Sequence, residues 1–125
     1  MPTESGSPDE HQLAEAYVLY YGGAKDQQWA FVEVTELVWH HPDRAWPVIL
    51  EAVALAPNDA VLGNIGASAI EDLFTHHGDM FANRVETEAR DNEPFRKALA
   101  HAWIQRYVSE DVWEQLRKVY RDLDN

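Results

Sequence analysis

Apolar side chains recur every three to four residues through most of the chain, which is the period of an α-helix. In the first half, this pattern predicts helices over residues 8–21, 27–40 and 43–56. Ser7-Pro8 is typical of a helix start, and Gly22-Gly23 of a helix end. The β-rich composition of residues 31–35 allows a strand as an alternative. The helical stripe continues well beyond that segment, which favours a helix.

Glycines divide the second half of the chain into shorter predicted elements. The predicted N-terminal residues of the helices from the third onward are, in chain order, Asp43, Asn58, Ser68, Asp79, Asn92 and Ser109. Gly63 and Gly66 are predicted to interrupt the helix after Asn58, and Gly78 is predicted to end the next helix as its C′ residue. The stripe behind Asn92 continues to Tyr107 and places Trp103 in the core.

These elements predict an all-α fold of six to eight short antiparallel helices, because short links make consecutive helices pack as neighbours. The arrangement is a helical-hairpin array or an irregular bundle, with a short HEAT-like solenoid as the alternative. We expect residues 1–7 to form a flexible tail and residues 8–125 to form a single helical domain.

Composition narrows the possible functions. The 125 residues include no cysteine, 22 acidic and ten basic residues, which give a formal net charge of -12. The absence of cysteine excludes a disulfide scaffold and a thiol enzyme. The acidity argues against direct nucleic-acid binding, which needs clustered Lys and Arg.

The sequence has no secretory leader and no membrane-spanning run, so we expect a cytoplasmic protein without a membrane partner. It has no recognisable cofactor motif.

Charge is unevenly placed along the chain. Residues 1–62 contain ten of the acidic residues but only two of the basic ones. In the second half, acids are predicted to pair with bases one helical turn away, as Glu86–Arg90, Glu93–Lys97 and Glu114–Lys118. In the first half, acids such as Asp43 and Asp59 are expected to have almost no basic partners. This contrast indicates either a solubilising surface or a surface that meets a basic partner.

Two pairs of histidines end predicted helices and lie four residues after an acid. A carboxylate and an imidazole at this spacing share one helical face, which is a possible metal-ligand geometry. The candidate ligands are Glu36, His40, Asp72, His76 and His77. The alternative is that these histidines interact with the carbonyl groups and dipole of a helix C-terminus. We predict no catalytic residue.

Trp39 is expected to be partly exposed, unlike most of the five tryptophans, which lie on apolar stripes and are expected in the core. An exposed tryptophan among carboxylates resembles a protein-binding hot spot. The predicted interface residues are Glu33, Glu36, Trp39, Glu51, Glu71 and Asp72.

Several segments together resemble a family of small, acidic, uncharacterised bacterial helical proteins. They are Pro47 to Pro57, Ile65-Gly66-Ala67, Ile70-Glu71-Asp72-Leu73, His77-Gly78, and Phe95-Arg96 with Ala98, Leu99 and Trp103. The similarity covers most of residues 29–113. No activity is assigned to that family, so the resemblance implies a helical fold and a bacterial source but no catalytic residues.

Three functional hypotheses follow. The first is a non-catalytic acidic module, an inhibitor or immunity-type protein that meets the basic surface of a toxin or a nucleic-acid-binding protein. The second is a metal-dependent hydrolase that uses the His and Asp clusters. The third is a structural scaffold module in a larger helical assembly.

Overall fold

A computed structural model describes residues 9–123, with side chains to residue 119. The helices are α1 Glu10–Tyr21, α2 Gln28–His40, α3 Pro42–Leu55, α4 Asp59–Ile65, α5 Glu71–Asp91, α6 Glu93–Leu99 and α7 Glu110–Leu123. Two 3-10 turns, Lys25–Gln27 and Gln105–Tyr107, precede α2 and α7. The described residues form no strand, so the predicted all-α class and helix number are confirmed. The predicted tail and the Ser7 cap lie outside the described residues.

The ends of α1 to α3 follow from local chemistry. Asp9 caps α1 through a capping box with Gln12. The chain turns after α1 with Gly23 at a φ of 111°, a conformation that favours glycine. The helix over residues 28–40 is confirmed against the alternative of a strand. The prediction that Asp43 caps α3 is wrong, because Pro42 already begins that helix and Asp43 lies in its first turn.

The predicted breaks at Gly63 and Gly66 are wrong. Helix α4 continues through Gly63 into a π-helical turn, Gly66–Ile70, that leads directly into α5. Ser68 is therefore inside a continuous helical segment, and its hydroxyl donates to the carbonyl oxygen of Asn64 instead of capping a helix. The predicted break at His77–Gly78 is confirmed, because two helical segments meet within α5 at a kink at His77, whose φ and ψ are -142° and 22°. Gly78 is not the left-handed C′ residue that was predicted, since the glycine with a positive φ among the described residues is Gly23.

The predicted long helix behind Asn92 is also wrong, since α6 ends at Leu99. The backbone N–H of Trp103 donates to a carboxylate oxygen of Glu71 at 2.9 Å. The hydrophobic periodicity of the sequence does not predict this contact. The helical register is lost beyond Leu99, so Ile104 enters the core and Trp103 is 68% exposed.

Non-consecutive helices make many of the contacts in this array. Helix α1 packs against both α2 and α3, α4 packs against α6, and α5 packs against α7. Trp46 of α3 joins the two halves, because its ring lies 5.8 Å from that of Phe81 and 5.7 Å from that of Phe95. The largest fully buried side chains are Tyr17, Phe74, Phe81, Phe95, Ile49, Ile65, Ile70 and Leu73. No helix among the described residues is long and apolar enough to span a membrane.

Ion pairs connect the acidic first half with the more basic second half. Arg84 binds Asp43 at 3.0 Å, and Lys97 lies 3.7 Å from Asp59. The expectation that these two acids lack basic partners is therefore wrong. Of the predicted helical pairs, Glu86–Arg90 is confirmed. Lys97 is engaged by Asp59 instead of Glu93, and Glu114 pairs with Arg117 instead of Lys118.

Candidate functional site

The solvent-facing side of α2 carries large apolar side chains between acidic ones. Trp29 and Trp39 are each 45% exposed, and Val32 is 54% exposed. Residues three and four apart on a helix lie on the same face. We call this surface the α2 face, and its residues are Trp29, Val32, Glu33, Glu36, Trp39 and His40. The opposite side of α2 packs into the core through Ala30, Val34, Leu37 and Val38.

Residues of α5 hold Trp39 in place. The His76 ring lies 4.7 Å from the Trp39 ring, centroid to centroid. The carboxylate of Asp72 lies close enough to the Trp39 side chain for the indole to lower the pKa of that carboxyl group. The Nε2 atom of His77 donates to the carbonyl oxygens of Val38 and Trp39, at 2.9 and 3.2 Å. These contacts restrict the Trp39 indole although almost half of its surface faces solvent.

The kink in α5 lies at His77, the residue that binds the carbonyl oxygens of Val38 and Trp39. His77 leaves the helical conformation and satisfies two carbonyl groups at the C-terminus of α2, where helix carbonyls have no partner within the helix. The alternative expected such histidines to interact with the C-terminus of their own helix, whereas His77 of α5 binds the C-terminal carbonyl groups of α2. On the α2 face itself, the Nε2 atom of His40 lies 3.4 Å from a carboxylate oxygen of Glu36, which is one helical turn earlier.

Asp72 lies at the edge of the α2 face in a partly buried position. Burial raises the pKa of its carboxyl group above the usual value, while His76 and the hydrogen bond from Trp39 favour the charged form. Asp72 thus places a carboxylate directly beside the exposed indole.

A cluster of three hydroxyl groups lies behind Asp72, and the sequence pattern did not indicate it. The Tyr17 hydroxyl is 3.2 Å from Ser68 Oγ, and Tyr21 also hydrogen-bonds to that oxygen. Burial raises the pKa of Tyr17 well above its usual value and that of Tyr21 less strongly. The cluster joins α1 to the π-helical turn. Three neutral hydroxyl groups satisfy one another there, so the cluster is structural.

Two of the predicted interface residues have partners elsewhere. Glu51 of α3 hydrogen-bonds to Nδ1 of His11 on α1. Glu71 accepts the backbone N–H of Trp103, as described above. The remaining four, Glu33, Glu36, Trp39 and Asp72, belong to the α2 face or its edge. The structure therefore brings together two thirds of the predicted set.

The predicted metal ligands do not converge. The Nε2 atom of His77 donates to backbone carbonyl oxygens, and the His76 ring packs against the Trp39 ring at an interplanar angle of 45°. Within residues 9–119, no group of three or more His, Cys, Asp or Glu side chains is arranged to hold a metal ion. The geometry gives the metal-site hypothesis no support.

Trp29 and Val32 were missed because apolar residues were expected in the core. Their exposure could nevertheless have been predicted from the helical periodicity of the sequence. The core stripe of this helix runs through Ala30, Val34 and Leu37, and both Trp29 and Val32 fall outside it. They share their side of the helix with the glutamates.

Comparison with protein families places the chain in one of them. The model of a family of unknown function, DUF6869, matches residues 21–123, so the chain belongs to this family. This confirms the expected membership of a family without an assigned activity. No curated protein and no solved structure is significantly similar to the chain.

Proposed function

We propose that this member of a family without an assigned activity is a non-catalytic module that binds a basic protein surface through the α2 face. The observation that carries the proposal is the pair of exposed tryptophans, Trp29 and Trp39, with Glu33 and Glu36 between them on one helix face. Ten residues separate the two indoles, which is about 15 Å along the helix axis.

Tryptophan is a frequent anchor of protein interfaces, because a large ring buries much apolar surface at a small entropic cost. The Trp39 ring already packs against His76, and its backbone carbonyl is bound by His77, so binding costs little additional ordering. Trp29 is less constrained, and its indole N–H donates to the Gln27 side chain at 3.1 Å. We therefore expect Trp39 to contribute more to binding than Trp29.

The acidic residues set the chemistry of the partner. Glu33, Glu36 and Asp72 surround the indoles in a chain of net charge -12, so the partner presents Lys and Arg side chains. Complementary charges accelerate association and exclude other acidic proteins. A toxin or a nucleic-acid-binding protein has such a surface, and covering it would inhibit that protein. The protein then acts as an inhibitor or immunity-type protein in a bacterial cytoplasm.

The test is affinity capture from the native host, followed by binding measurements with the purified partner. We expect a basic partner whose affinity falls at least tenfold with Trp39→Ala. The double charge reversal Glu33→Lys with Glu36→Lys should lower both the association rate and its dependence on salt.

Matched controls separate this surface from general effects of charge and aromatic content. Asp91→Lys with Glu114→Lys makes the same change in net charge at exposed positions of α5 and α7. Trp103→Ala removes an exposed indole outside α2. Both controls should retain binding. Equal losses in the control and α2 variants, or unchanged binding in the α2 variants, would contradict the proposal.

A further inference from the structure

A cleft of about 690 Å³ opens between the segment that follows α6 and the first turns of α7. Its size falls in the range of small-molecule sites, roughly 300–1,000 Å³. It is lined by Ala100, Ala102, Trp103, Ile104, Gln105, Arg106 and Trp113. Ala102 and Ile104 are buried and form its floor, while Trp103, Gln105 and Arg106 are exposed at its mouth. No residue of the α2 face lines the cleft.

Two indole side chains form walls of the cleft. Trp113 of α7 is half-buried, whereas Trp103 is the more exposed of the two. The Trp103 backbone is fixed by its hydrogen bond to Glu71, so the exposed ring projects from an anchored position. Small side chains at Ala100 and Ala102 leave space next to the rings. Such walls suit a flat aromatic ring, which stacks favourably on indole.

Arg106 adds a positive charge at the mouth. Its guanidinium lies 5.2 Å from the centroid of the Trp103 ring and 5.8 Å from that of Tyr107. Within residues 9–119, no carboxylate lies in salt-bridge distance of Arg106, although the chain is strongly acidic. The guanidinium donors are therefore available to an anion, which they can bind in a bidentate manner.

We infer that this cleft binds a small molecule that combines a planar aromatic ring with a carboxylate or phosphate group. The ring stacks against Trp103 and Trp113, and the anionic group accepts hydrogen bonds from Arg106. Because the net charge of the protein repels a free anion, stacking is required for binding. The ring and the anionic group are thus both necessary.

The test is titration calorimetry of the full chain with indole-3-acetate and with phenyl phosphate, which distinguish carboxylate from phosphate. Binding of either ligand at up to millimolar concentration is expected. Three further ligands are controls. Indole has the ring without the anionic group, and acetate has the anionic group without the ring. Tryptamine has the ring, with a cationic group in place of the anionic one. All three should bind at least tenfold more weakly. Equal affinity for indole or tryptamine, or no binding of either anionic ligand, would overturn the inference.

Variants assign the binding to the cleft. Arg106→Gln should weaken binding by about tenfold or more, because it removes a charged hydrogen bond. Trp103→Ala should weaken it roughly three- to tenfold by removing the stacking surface. Arg117→Gln removes a charge elsewhere on α7, and Trp39→Ala alters the α2 face, so both should bind normally. Undiminished binding by Arg106→Gln, with circular dichroism unchanged, would also overturn the inference. Because Trp39→Ala affects only the proposed protein partner, the two proposals fail independently.

Discussion

Gly66 lies directly against the backbone of Ala98, where helix α6 crosses the π-helical turn. A Cβ atom at Gly66 would lie 1.7 Å from the Ala98 carbonyl oxygen. A residue with a side chain would fit at position 66 only if α6 moved. The same glycine has ordinary helical φ and ψ values of -63° and -46°, so its role is close approach and not a special conformation.

We predict that Gly66→Ala destabilises the protein by about 3 kcal/mol, because the added methyl group overpacks a backbone contact that cannot yield. The matched control is Gly63→Ala, three residues earlier. Its Cβ would meet the exposed His101 ring at 3.3 Å, and that side chain can move. Alanine is also the better helix former, so Gly63→Ala should be neutral or stabilising by up to about 1 kcal/mol. Urea denaturation measures both, and equal effects would contradict this account.

The contact between Gly66 and Ala98 shows why the periodicity of the sequence could predict some parts of the fold and not others. The period identified α1, α2 and α3 within about two residues, because their ends lie at local features: the Asp9 cap, the Gly23 turn and Pro42. It misplaced the breaks around Gly63 and Gly66, because glycine that ends a helix and glycine that admits a neighbouring helix look the same in sequence. The end of α6 was missed for a related reason. Beyond this end, the backbone N–H of Trp103 donates to Glu71, which lies 32 residues earlier in the chain and outside any local pattern.

The candidate site was predictable to a similar degree. Trp39 and its acidic neighbours were recognised from composition and spacing. Glu51 and Glu71 were included on charge alone, and only tertiary contacts show that His11 and the Trp103 backbone occupy them. Charge in a sequence does not reveal which face of the fold it reaches.

The contact between His11 and Glu51 makes stability depend on pH. The hydrogen bond to Glu51, and then its charge, raise the pKa of His11 above 6.5. The folded protein therefore binds this proton more tightly than the unfolded chain does. The stabilisation is fully present below the unfolded pKa and is lost as pH rises through the folded pKa.

We therefore expect Glu51→Gln to be destabilising near pH 6 and nearly neutral near pH 9, values that bracket the titration of histidine. The measurement is urea denaturation of the variant and the wild-type protein at both pH values. Glu114→Gln is the control, because it removes a carboxylate whose partner is an arginine and not a histidine. A Glu51→Gln effect that is independent of pH would contradict the assignment.

The buried Tyr17 hydroxyl gives a second pH-dependent effect. Burial, above all, raises the pKa of Tyr17 well above 10, so its ionisation is coupled to unfolding. We expect Tyr17→Phe to cost about 1 kcal/mol at neutral pH by removing a hydrogen bond to Ser68. This cost should shrink above pH 10, because ionisation of Tyr17 in the unfolded chain then favours unfolding of the wild-type protein but not of Tyr17→Phe. Denaturation across alkaline pH tests this, with Tyr107→Phe as the matched substitution at an exposed position.

The exposed apolar side chains of the α2 face should contribute little to folding. Trp29 and Val32 are about half exposed, whereas Leu37 on the opposite side of the helix is 7% exposed. Trp29→Gln and Val32→Gln should each change the free energy of unfolding by no more than about 0.5 kcal/mol. Leu37→Ala should cost about 2–5 kcal/mol by leaving a cavity. Urea denaturation compares the three variants. Losses at Trp29 and Val32 as large as that at Leu37 would mean that these side chains are part of the core, and the α2 face would then be unavailable to a partner.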